Sequence, residues 1–69
     1  MTDEMDFFLF LIERYANYVG RFTGDVLQEW DKKELTKKIY DCYWEYHQEA
    51  IENAFIDIDN LMKTGKHAW

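Results

Sequence analysis

No proline interrupts this chain of 69 residues, and only three glycines, Gly20, Gly24 and Gly65, are available to punctuate it. Proline is the strongest helix breaker, so its absence leaves the backbone free to form long helices, stopped mainly where glycine permits. The spacing of apolar residues uses that freedom. Phe8, Leu11, Ile12, Tyr15, Ala16 and Val19 recur every three or four positions, which predicts an amphipathic helix of about five turns ending near Gly20. Thr2 or Asp3 can cap it, and the acidic residues that follow suit the positive end of its dipole. Phe7, Leu9 and Phe10 lie off the main stripe, so the start of this helix is buried on more than one side or faces a partner.

Thr23-Gly24-Asp25 reads as a fresh start, with Thr23 as N-cap and Val26, Leu27 and Trp30 facing inward from a short second helix. Lysines at 32, 33, 37 and 38 suggest a solvated connection or a bend. A third helix, about Glu34 to His47, carries one stripe at Leu35, Ile39, Cys42, Tyr43 and Tyr46 and a second at Tyr40, Trp44 and His47, which makes it the expected centre of the fold. The last helix, about Ala50 to Lys63, has Ile51, Ala54, Phe55, Ile58, Leu61 and Met62 on one face, with Gly65 as its stop. These elements predict an all-α fold, a compact bundle of three to four short helices forming a single domain over 1–69, with a tail, 64–69, free to be flexible. A chain this short buries only roughly 60% of its unfolded surface, so dense packing or a partner must help it.

Charge narrows the class of partner. Eight basic residues against fourteen acidic ones give a formal charge of −6, a field that repels nucleic acid and anionic lipid and favours a basic protein. The apolar run Phe7 to Ile12 is too short to span a membrane, and its acidic approach is wrong for a signal peptide. The single Cys42 rules out an internal disulfide and fits a reducing, cytoplasmic setting.

Three groups of residues carry a resemblance. Phe8-x-x-x-Ile12-Glu13-x-Tyr15-Ala16 stands early, Ile39-Tyr40-Asp41-Cys42-Tyr43 with His47 in the middle, and Phe55-Ile56-Asp57-Ile58-Asp59 late. Together they resemble the small bacterial proteins of the domain of unknown function 3791 family over most of the chain. The resemblance implies helical cytoplasmic proteins of bacteria and mobile elements, some encoded beside toxin-like genes, with no assigned catalytic residues. Lys33-Glu34-Leu35 stands where a Gly-Val pair precedes the third helix in relatives, so the turn there is expected to differ.

Candidate chemistry fails on spacing. Cys42 and His47 are five residues apart on one predicted helix, which points them away from each other, and no positive neighbour is evident to lower the thiol pKa. His47 could join Tyr43 or Glu13 at a metal, but no H-x-x-x-H, E-x-x-H or C-x-x-C spacing supports one, and His67 sits in the tail. Asp57, Asp59 and Asn60 lack the glycine and distal glutamate of a calcium loop and read as a solvated helix face. Gly20 to Gly24 follows a helix rather than a strand and lacks the lysine of a phosphate loop. No catalytic residue, metal or cofactor is therefore expected.

Aromatic content is the more informative signal. Five Phe, five Tyr and three Trp are hard to cover in so small a domain, and exposed rings among acidic groups are what a protein interface uses. The expectation is a non-enzymatic protein-binding module. Tyr40, Trp44 and His47 would be its anchors and Asp57 and Asp59 its steering charges, and the family resemblance sharpens this to an antitoxin-like role against a basic partner. The alternatives are a homo-oligomeric module, such as a homodimer, packed through the start of the first helix, and an acidic mimic of nucleic acid.

Overall fold

The structure, a computed structural model, describes residues 2–69. Helix α1 covers Asp3–Val19 and starts as its sequence directs: the Thr2 hydroxyl accepts the Met5 N–H at 3.2 Å, and Asp3, Glu4 and Asp6 fill the first turn. Its buried stripe is Phe8, Leu11, Ile12, Tyr15 and Ala16. Val19, expected on that stripe, lies at the exposed end, where Gly20 adopts a left-handed conformation (φ 72°) and the Arg21 N–H closes onto the Ala16 carbonyl at 2.9 Å.

Helix α2 covers Thr23–Lys32 and buries Val26 and Trp30 completely. Its N-cap is Phe22, one residue before the expected Thr23, and no side chain caps it; the Asp25 and Val26 N–H groups bond the Phe22 carbonyl instead. The chain then turns through Glu34, whose φ of 60° is left-handed, and Leu35 is driven into the core with its N–H on the Trp30 carbonyl at 2.8 Å. The lysine-rich connection is solvated as expected, its four lysines all exposed. Lys33 and Lys38 reach across to the end of the last helix, donating to the carbonyls of Met62 at 3.4 Å and Gly65 at 3.0 Å, where helix polarity favours cations.

The expected third helix is two: α3 over Thr36–Asp41 and α4 over Tyr43–His47, separated by Cys42 at φ −87°, ψ 18°. The break keeps Ile39, Cys42 and Tyr46 in the core while turning Tyr43 and His47 onto Phe7 of α1, with ring centroids at 5.6 and 6.3 Å. Packing against α1 thus overrides an uninterrupted helical period. Helix α5 covers Ile51–Thr64, buries Ala54, Phe55, Ile58 and Leu61, and stops at Gly65 (φ 76°).

The described residues form an all-α bundle of five helices measuring 26 × 24 × 20 Å. α1 is central: it packs on α2, α3 and α4, and reaches α5 through Tyr15 and Tyr18 against Phe55. No described helix is long and apolar enough to cross a membrane.

Candidate functional site

Helix α4 organises two features, one exposed and aromatic, the other buried and polar. On the exposed side, the Tyr43, Trp44 and His47 rings stack within 11° of parallel, with His47 centroids 4.2 Å from Tyr43 and 4.9 Å from Trp44. The stack is fixed from below. His47 Nδ1 lies 2.6 Å from the Tyr43 carbonyl, and Phe7 packs edge-on against Tyr43. Phe10, 6.4 Å from Phe7, extends the aromatic surface along α1, with the Arg14 guanidinium 4.8 Å above its ring. Trp44 is 66% exposed while stacked on His47, so most of its apolar area remains available.

Of the residues expected to anchor a partner, Trp44 and His47 therefore share one stack. Tyr40 sits a turn earlier, half-buried against Phe8 at 5.7 Å, and meets Trp44 in the lining of a shallow cavity of about 460 Å³ with Glu4, Asp41 and Tyr43. Tyr43 and Phe7 complete the surface and were not among the expected anchors. The four-residue spacing of Tyr43 and His47 was the available signal, since it places two rings one above the other.

The steering charges require correction. Asp57 is 2% exposed and cannot steer anything. Its carboxylate accepts the Tyr46 hydroxyl and the Ala68 backbone N–H, and His67 Nδ1 lies 2.7 Å from the same group. A buried carboxylate is tolerable only when so satisfied. Asp59 is half-buried and accepts the Tyr15 hydroxyl at 2.7 Å, so it too is engaged internally. Neither belongs to a solvated face, because α5 turns both toward tyrosines of the core. The tail is drawn into this network: His67 stacks on Trp69 at 4.6 Å, and Trp69 meets the edge of Tyr46 at 6.1 Å. Nothing in the periodicity of the sequence foretold this, as the tail residues have no helical register to read.

The network also brings Cys42 to His67 rather than to His47, with Sγ 3.7 Å from Nε2. Cysteine, histidine and aspartate thus stand in the order of a nucleophilic triad. The electrostatics oppose that use. Burial, with the nearby Glu45 charge, pushes the Cys42 thiol up from 9.0 to about 11, away from the thiolate a nucleophile needs. Burial and the bond to Asp57 raise Tyr46 further still, and burial with the bond to Asp59 does the same for Tyr15. Each of these groups is held neutral, as structural anchors are. Among the described residues, no group of three or more His, Cys, Asp or Glu side chains is arranged to hold a metal ion.

No curated protein and no solved structure matches this chain. A family model does, over residues 6–65, which spans all five helices apart from the first residues of α1. The chain belongs to that family, described as a protein of unknown function (DUF3791).

Proposed function

We propose that this protein is a non-enzymatic binding module that recognises a basic protein through the aromatic surface of α4 and the start of α1. The observation that carries the reading is Trp44, two-thirds exposed and stacked with Tyr43 and His47. A rigid, desolvation-ready indole surrounded by polar groups is the usual composition of an interface hot spot, because it offers large apolar area at little entropic cost. The formal charge of −6 would bring a basic partner to this surface faster and disfavour acidic competitors. The sharper form is antitoxin-like neutralisation, in which covering a basic partner's working surface is itself the activity. The test is affinity for a stoichiometric basic protein recovered from the native cells. Alanine at Tyr40 and Trp44 should weaken it at least tenfold, a hot-spot loss of about 1.4 kcal/mol or more; unchanged affinity would remove the proposal.

A second reading is favoured by Leu9 and Phe10, which are 42% and 44% exposed on α1. These could pack against a second copy of the chain across a two-fold axis. Sedimentation separates the two, since a monomer at micromolar concentration leaves this surface for a different protein.

A further inference from the structure

Helix α4 has a cavity on each side, and the two share a chemistry. On one side lies the cavity of about 460 Å³ lined by Trp44, Tyr43, Tyr40, Glu4 and Asp41. On the other lies one of about 570 Å³ whose lining includes Trp69, Tyr46, Glu45 and Glu49. Each thus combines an exposed indole, at least one tyrosine and two carboxylates, and among the described residues no Lys, Arg or His lines either, although His47 and His67 each stack on one face of the indole and leave the other face to a ligand. By contrast, the cavity beside α2 mixes Arg21, Lys32 and Lys33 with its carboxylates.

Aromatic faces carry negative quadrupoles, and a cation placed over them beside a carboxylate is attracted by both. An anion would be repelled by the ring faces and the carboxylates alike, and a neutral apolar group would gain from the rings alone. Among the described residues, Lys37 pairs with one of the lining carboxylates from outside the cavity, its amine 2.7 Å from Asp41 in an exposed pair between residues four apart. Such a pair is weakly held, so an incoming cation can replace it.

On this basis, and resting on the protein-binding reading above, we propose that the two cavities flanking α4 are paired cation sites, each taking one lysine or arginine side chain of the basic partner. The Trp69 site exists because the tail is fastened to Asp57 and Tyr46, which gives the buried network a role in recognition: it holds an indole where a cation can reach it. Two cation sites on one short helix would also select partners by the spacing of their basic residues.

The test uses the full chain, with acetylated tetra-lysine and tetra-arginine amides as probes and tetra-glutamine as the uncharged control. Indole N–H resonances report each site separately, and buried Trp30 reports the integrity of the fold. The cationic peptides should shift Trp44 and Trp69 saturably and leave Trp30 in place, while tetra-glutamine shifts none. Glu4→Gln with Asp41→Asn should abolish the Trp44 response alone, and Glu45→Gln with Glu49→Gln the Trp69 response alone. Trp44→Leu and Trp69→Leu, which leave the charge untouched, should each weaken peptide binding about threefold by calorimetry, the scale of one exposed cation–π contact. Peptide affinity indifferent to both leucine variants would mean diffuse attraction to an acidic surface and overturn the sites. A partner protein whose affinity depends on Trp44 but not on the four carboxylates would overturn them too, while leaving the protein-binding reading in place.

Discussion

Asp57 shows how much one residue can settle in a chain this small. Its carboxylate is the meeting point of α4, α5 and the tail, through Tyr46, His67 and the Ala68 N–H. Asp57→Ala strands the buried Tyr46 hydroxyl and releases the part-buried donors of the tail, and the expected loss is roughly 3 kcal/mol by urea denaturation, a large share of the total for a domain of this size. Tyr46→Phe should cost less, about 1 to 2 kcal/mol, because one donor is removed and the carboxylate keeps its other partners. The thiol offers a separate check. With its pKa pushed up to about 11 and its side chain buried, Cys42 should react with a thiol reagent at pH 8 far more slowly in the native protein than after unfolding. The same shifts fix the pH dependence of stability. Cys42, Tyr15 and Tyr46 are all acids held neutral by the fold, so their contribution is complete below the ordinary thiol value of 9.0. It is lost as pH rises, through about 11 for Cys42, and beyond the ordinary 10.0 for the tyrosines. Urea midpoints should therefore fall as pH rises above 9.0, and Cys42→Ala should flatten the first part of that fall.

At the scale of the elements, the punctuation of the helices is where sequence and structure agree and differ most instructively. Gly20 and Gly65 end α1 and α5 in left-handed conformations, as their positions after apolar stripes implied. Glu34 occupies the same region of backbone space without being glycine. Glu34→Gly should accordingly stabilise the protein by up to about 1 kcal/mol, whereas Gly20→Ala should destabilise it by about as much. The stripes of α1 and α5 were legible because each helix buries one face, and a period of 3.6 survives in the sequence. The break at Cys42 was not legible, since no proline or glycine marks it and the rings that follow it pack on Phe7, some 35 positions away in sequence. The site was half legible for the same reason. Trp44 and His47 could be grouped by spacing alone, but whether Asp57 points to water or to Tyr46 depends on how α5 rotates against α4, which local pattern does not encode.

The whole molecule is a thin core with an unusually aromatic surface. Fifteen hydrophobic residues form the buried core, with Trp30 wholly enclosed and its indole N–H without a partner among the described residues, while Phe22, Trp44 and Trp69 remain largely exposed. Exposed rings that merely completed the core would be needed for stability; rings kept for a partner would not. Trp44→Ala should therefore change unfolding free energy by no more than about 0.5 kcal/mol, the ordinary range for surface substitutions. The most direct test of recognition through α4 places wild type and Trp44→Ala side by side in a pull-down from the native cells, read by mass spectrometry at two salt concentrations. A single basic protein retained stoichiometrically by wild type and lost by Trp44→Ala is the expected result. Equal retention of the same protein by both, or recovery of this chain alone, would contradict it.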